Sequence, residues 1–225
     1  MMNVQIDSKA VELYSSRAYV VGITGASGSV YGVRLIQVLL QFGITVHIVI
    51  SNAGWRVIKE ELGWNTTDRE GLLAEKFGSY AGTYHYHPVA DIGASIASGS
   101  FRVDGMIIMP CSMGTLSSIA HGSSENLMTR AADVMMKESR TLVLVPRETP
   151  LHAIHLENML TLARLGVRMI PAMPAFYFGP RSLDDLINFL VGKVLDSLNI
   201  DHRLFTRWGD TTDGQQGEQN PHRTN

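Results

Sequence analysis

A chain of 225 residues that is 45% hydrophobic, with a formal net charge of -2, suits one enzyme-sized domain and offers no basic footprint for nucleic acid. No run of ~18 apolar residues is available to cross a bilayer. The polar, mixed-charge stretch 1–17 lacks the character of a signal or transit peptide, and the single cysteine, Cys111, cannot form an internal disulfide, so a cytoplasmic location is expected.

In chain order, apolar runs and helical periodicity predict a strand at 19–24, a helix over 30–42, a strand at 45–50 and a helix over 53–62. Residues 63–82 carry turn residues and no regular element is expected there. A short helix over 91–97 precedes a strand at 106–109, followed by helices over 112–120 and 124–138. A strand at 142–145, a helix over 151–165, a strand near 167 and a helix over 182–198 complete the pattern. This alternation predicts the α/β class: a single-domain, doubly wound parallel sheet, a flavodoxin-like or Rossmann-like three-layer sandwich. The domain is expected over 18–208, between an N-terminal extension, 1–17, and a tail, 209–225. The tail's Gly, Gln, Asn, Asp and Thr cannot bury enough apolar area to order it.

Two apolar runs, 106–109 and 142–145, meet prolines at Pro110 and Pro146 and open into polar loops, 110–115 and 146–150. In a parallel sheet both loops face one crevice beyond the strand ends, where ligands bind. The first strand ends in Thr24-Gly25-Ala26-Ser27-Gly28-Ser29 before a helix, so the loop either holds an anion at a helix N-terminus or makes a tight connection. The spacing is not G-x-G-x-x-G, and the second strand ends in Ser51-Asn52 rather than an acidic residue, which disfavours NAD. No ATP P-loop is present, and a mononucleotide such as FMN fits better.

Arg130 and Lys137 lie about two turns apart on one helix, hence on one side of it. They are either a solvated face, with Asp133 and Lys137 as an ordinary ion pair, or cations for a phosphate that the helix running toward Arg147 and Glu148 would reach. A multiply charged phosphate needs such cations, because an exposed helix N-terminus contributes only about 0.3–1 kcal/mol.

Other residues carry weaker signals. His152 and His155 lack a metal-ligand pattern and read as packing or capping. Cys111 reads as core, as do Met135, Met136, Met169 and Met173. Tyr177 and Trp208 serve either a site or an interface, and Trp55 and Trp64 read as exposed.

The motifs Thr24-Gly25-Ala26-Ser27-Gly28 with Tyr31-Gly32, Pro110-Cys111-Ser112-Met113-Gly114-Thr115-Leu116-Ser117, Leu127-x-x-Arg130-Ala131-Ala132-Asp133-Val134 with Lys137-Glu138, Leu142-Val143-Leu144-Val145-Pro146-Arg147-Glu148-Thr149-Pro150, His155-Leu156-Glu157-Asn158-Met159 and Pro174-Ala175-Phe176-Tyr177 closely resemble the UbiX-type, or Pad1-type, flavin prenyltransferases. The likeness spans about residues 19–208. It implies a homo-oligomer, plausibly a dodecamer, that joins a dimethylallyl group from dimethylallyl phosphate to N5 and C6 of reduced FMN. The product, prenylated FMN, would serve a separate UbiD-type decarboxylase. By position, Gly25, Ala26, Ser27, Ser51, Ser112, Met113, Gly114, Thr115 and Arg147 would bind FMN, while Lys137, Tyr177 and Lys193 would hold the prenyl phosphate. Glu148 would be the acid/base, Arg130 and Glu61 would support the site, and Trp208 would lie against the prenyl group. Lys193 stands where relatives often have arginine, a point charge in place of a fork. The adjacent Asp184 and Asp185 open a helix and read as dipole complements rather than magnesium ligands, so the reaction is expected to need no metal.

Overall fold

The computed structural model describes residues 13–209. Six strands, β1 (Ala18–Ile23), β2 (Thr45–Ile50), β3 (Tyr84–Pro88), β4 (Gly105–Cys111), β5 (Thr141–Pro146) and β6 (Arg168–Met169), form one sheet in the order β3-β2-β1-β4-β5-β6, with every pair parallel. The helices are α1 (Ser29–Gln41), α2 (Asn52–Leu62), α3 (Arg69–Phe77), α4 (Met113–Ala120), α5 (Leu127–Lys137), α6 (Ala153–Arg164) and α7 (Leu183–Ser197).

The central strands are apolar without alternation because both faces are covered. On one face Val21, Ile23 and Ile48 pack with Leu35 and Leu39 of α1, Trp55 and Ile58 of α2, and Leu190 and Val194 of α7. On the other, Met106, Ile108 and Leu144 pack with Leu116 of α4 and with Ala131 and Met135 of α5. Strand order reverses between β1 and β4, and the carboxyl ends of these two strands frame the crevice expected at such a switch point.

Several elements depart from the sequence expectation. β3 and α3 lie where no regular element was expected or none was assigned. β3 is the edge strand Tyr-His-Tyr-His-Pro, which lacks an apolar run because only part of each side chain is covered. α3 is capped by Asp68, whose Oδ1 accepts from Gly71 N at 3.0 Å, and it buries Leu72, Leu73 and Phe77. α5 begins at Leu127 rather than at 124 because Asn126 and Thr129 close a capping box there. The helix expected over 91–97 is a single 3-10 turn, Ser95–Ala97.

β4 does not stop at Pro110 but resumes at Cys111, which pairs with Pro146 after a register irregularity. The carbonyl of Pro110 stays satisfied because it accepts from Thr24 N at 3.2 Å and Thr24 Oγ1 at 2.8 Å. Trp55, expected to be exposed, is 2% exposed in the core, and Trp64 is half-buried against it. Met173, read as core, is instead 68% exposed, and Phe176 and Trp208 are exposed with it.

The β2–β3 side of the sheet holds a pH-sensitive group of imidazoles. His47 is buried, with Nδ1 2.9 Å from His87 Nε2, His85 stacked at 5.0 Å and Phe101 edge-on at 5.2 Å. Burial, and then the neighbouring imidazoles of His87 and His85, push its pKa down to about 4. The native state therefore keeps His47 neutral at pH values where the unfolded chain protonates it. This contribution to stability is complete above pH ~6.5 and is lost as pH falls toward the folded value. Melting temperature should fall between pH 6.5 and 4, and His47→Gln should flatten that slope. An undiminished slope in the variant would assign it to other groups.

Candidate functional site

Glu61, near the end of α2, fills the N-terminus of α1. Its carboxylate accepts from Gly28 N at 3.0 Å, Ser29 N at 2.9 Å and Ser29 Oγ at 2.8 Å, and the Ser27 hydroxyl also bonds to it. Burial pushes the Glu61 pKa up, but these donors outweigh it and hold the carboxyl below the usual range. The anion at the start of α1 in one chain is thus its own Glu61 carboxylate. Gly25 is required at the turn because a Cβ there would lie 2.6 Å from that of Ala53 on α2. Ala26 is buried and Ser27 is exposed at the crevice edge.

Ser51 follows β2 and caps α2, with its hydroxyl accepting from Gly54 N at 2.9 Å. Ser112 follows β4 and caps α4, accepting from Thr115 N at 3.3 Å, while its Oγ lies 3.1 Å from Thr115 Oγ1. Met113 faces the core, so only its backbone can reach a ligand, whereas the space beside Gly114 is open. Thr24 fastens the two loops together: its Oγ1 also accepts from Ser112 N at 2.7 Å. That role had no sequence signal beyond a hydroxyl at the end of an apolar strand.

Arg147 follows β5, and its backbone N–H donates to the Cys111 carbonyl at 3.2 Å. Its Nε is buried without a protein partner. Burial raises the Tyr31 pKa, Arg147 opposes the rise and Glu61 adds to it, so the phenol lies in the fields of both. Tyr31 therefore links the α1 and β5 sides of the crevice, a role not assigned from the sequence. Glu148 is exposed, with Oε1 accepting from Thr149 N at 3.0 Å. Arg130 is exposed on the first turn of α5, at the crevice end of that helix.

The remaining expected ligands lie elsewhere in the chain. α5 returns antiparallel to the strands, so Lys137 sits at the start of β5 and Glu148 beyond its end, roughly 20 Å apart for six extended residues. This corrects the expectation that the helix carries Lys137 toward Arg147 and Glu148. Lys137 pairs with the adjacent Glu138 rather than with Asp133. Lys193 lies late in α7, whose carboxyl end meets Arg17 at the start of β1: Arg17 Nη1 donates to Leu198 O at 3.3 Å. Tyr177 packs on Trp208 at 5.3 Å and on Phe189 of α7 at 6.0 Å. Within one chain the expected ligands therefore fall into two groups, one at the crevice and one on the flank of α7, with Lys137 separate from the crevice.

His152 caps α6, and its ring stacks on His155 at 3.5 Å. Burial raises the pKa of the Cys111 thiol, which leaves it a poor nucleophile. Among the described residues no cluster of His, Cys, Asp or Glu could hold a metal ion, and no helix is long and apolar enough to cross a membrane.

A model of the family described as Flavoprotein matches residues 8–195. The flavin prenyltransferase UbiX of Alkalihalophilus pseudofirmus is 60% identical over 190 residues, which cover 84% of this chain and 95% of that protein. The structure of a dodecameric FMN-dependent UbiX-like decarboxylase from Escherichia coli O157:H7 aligns with a TM-score of 0.77 and 45% identity, covering 85% of this chain and 98% of the other. AnUbiX (PadA1), solved in complex with FMN and dimethylallyl pyrophosphate, aligns with a TM-score of 0.78 and 42% identity, covering 85% and 97%.

Proposed function

The chain belongs to the flavin prenyltransferases of the UbiX and Pad1 type, and we propose that it joins a dimethylallyl group from dimethylallyl phosphate to N5 and C6 of reduced FMN without a metal ion. The observation that carries this reading is Arg147. Its buried Nε has no protein partner at the mouth of a crevice edged by Ser112, Thr115 and open space beside Gly114, which suits a polar, planar mononucleotide. Gly25, Ala26, Ser27, Ser51, Ser112, Met113, Gly114, Thr115 and Arg147 would hold it. When bound and reduced, FMN supplies the nucleophilic atoms.

The chain's own groups account for the rest. As the allylic C–O bond breaks, its electron pair leaves on phosphate and positive charge develops on the five-carbon fragment. Lys137 and Lys193 hold the phosphate charge with the Tyr177 hydroxyl, while the Trp208 π face backs the fragment. Glu148 moves the proton that accompanies phosphate departure, and Arg130 supports the site. Glu61 keeps the Ser27–Ser29 turn in one conformation.

The separation of the expected ligands within one chain supports a homo-oligomer whose sites are completed across subunit contacts, plausibly a dodecamer. Exposed Ile154, Leu156 and Leu160 of α6, with Met173 and Phe176, offer apolar area for such contacts. Light scattering at assay concentration should find a large assembly, and a fully active monomer would contradict it. We place the protein in the cytoplasm, read 18–208 as its working domain, and take a UbiD-type decarboxylase to receive the product. The extension and tail lie largely outside the described residues.

Mass spectrometry after incubation with reduced FMN and dimethylallyl phosphate should find FMN heavier by one dimethylallyl group. Unmodified FMN with a folded, FMN-binding chain present would sink the reading. The same product should form in excess EDTA, and a loss restored by magnesium would reopen the role of Asp184 and Asp185. FMN should bind near one per chain and NAD negligibly, as titration will report.

A further inference from the structure

One carboxylate organises the flank of α7. Asp196 accepts two bonds from the Arg207 guanidinium, Nη2 to Oδ1 at 2.7 Å and Nη1 to Oδ2 at 3.1 Å, in the fork geometry that fixes orientation as well as distance. Lys193 Nζ lies 3.6 Å from Oδ2 one turn earlier on the helix. His202, with a side chain only 1% exposed, places Nε2 3.1 Å from Oδ1. Its Nδ1 accepts from Leu204 N at 3.2 Å, which assigns the ring proton to Nε2 and makes the imidazole a neutral donor to Asp196.

The segment that carries these partners lies directly on α7 because position 192 is glycine. A Cβ there would lie 2.5 Å from Phe205 and 2.6 Å from His202. Phe205 packs on Phe189 at 4.9 Å, and Phe189 in turn touches Tyr177. Trp208 follows Arg207 and is 81% exposed, with its edge-on contact to Tyr177 as its described ring partner. An indole so little covered would sample many orientations, and holding it costs conformational entropy that one ring contact offsets poorly. The Arg207 fork supplies the missing restraint one residue away. Two cations facing one carboxylate still leave a net positive charge, so the clamp does not cancel the attraction for phosphate.

We propose that Asp196 is a positioning residue for the prenyl-phosphate half of the site, setting the Lys193 ammonium and the Arg207-Trp208 dipeptide in one arrangement so that cation and π face meet a single substrate. Asp196 itself touches neither substrate. This rests on the reading of Lys193, Tyr177 and Trp208 as prenyl-phosphate ligands, and the test separates the two.

Asp196→Asn keeps the shape but loses the charge and the fork. Its kcat/KM for dimethylallyl phosphate should fall about 30-fold or more, chiefly through KM, with FMN affinity and oligomer size retained. Asp196→Glu, which restores a forked acceptor, should recover most of the loss. In a Trp208→Ala background the Asp196→Asn penalty should shrink to about fivefold or less, because the ring it positions is already gone. A purely structural role would give the same penalty in both backgrounds and would overturn the proposal. If Asp196→Asn fails to assemble, Arg207→Lys, which keeps the charge without the fork, should raise KM in the same direction, and an unchanged KM there would also overturn it. Wild-type prenylation by both Lys193→Met and Trp208→Ala would remove the underlying reading and this proposal together. Losses in those two with wild-type behaviour of Asp196→Asn would remove only the role of Asp196.

Discussion

Glu148→Gln should lower the rate of FMN prenylation by about 10²-fold or more while FMN binding is unchanged, the usual scale for losing acid–base assistance. The amide keeps the size of the carboxylate and an acceptor for Thr149 N–H, now at 3.0 Å, but it cannot exchange a proton. Glu148 is exposed at the end of β5 and bonded only to its neighbour's backbone among the described hydrogen bonds, so the substitution leaves no buried group orphaned. Stability should therefore hardly move, and loss of rate at constant melting temperature is the signature to look for. Single-turnover mixing with reduced FMN and dimethylallyl phosphate measures it. Near-wild-type turnover by the variant would take Glu148 out of the mechanism and leave phosphate departure to the cations.

Lys137→Ala should also lose most activity, but it should weaken prenyl-phosphate binding as well as rate, because an ammonium faces phosphate in both ground and transition states. The larger effect should come from mixing. Within one chain β5 separates Lys137 from Glu148, so a site that uses both draws them from different subunits. Assemblies reformed from equal amounts of Lys137→Ala and Glu148→Gln chains should then recover about a quarter of their sites with both native residues, a gain of an order of magnitude or more over either parent. Recovery no greater than the mean of the parents would place both groups in one chain's crevice or remove Lys137 from the chemistry.

The parts of the fold that were legible are those in which local signals agree. β2 matches its predicted bounds, and α1, α2 and α7 match to within a residue or two, because apolar periodicity, Ser182 as a cap and glycine stops all point the same way. β3 was missed because an edge strand half-covered by neighbours has no apolar run to announce it. α3 was missed because its three buried residues, Leu72, Leu73 and Phe77, sit among turn-forming neighbours. The crevice loops at Ser51, Ser112 and Arg147 were foreseeable from where apolar runs end.

By itself the sequence determined the α/β class, the parallel sheet, the strand-end loops that carry Gly25, Ser112 and Glu148, and, through several long motifs in fixed order, the family. These are properties of periodicity and local order along the chain, and they survive without knowledge of which elements touch. Only the tertiary structure decided that the anion at the start of α1 is Glu61, that Thr24 rivets two loops, that Lys137 lies at the far end of β5 from Glu148, and that Asp196 gathers Lys193, His202 and Arg207. Each of these depends on the direction in which a helix returns along the sheet or on a contact between distant segments. Spacing along a single helix tells which side chains share its face but not which end of the sheet that face has reached.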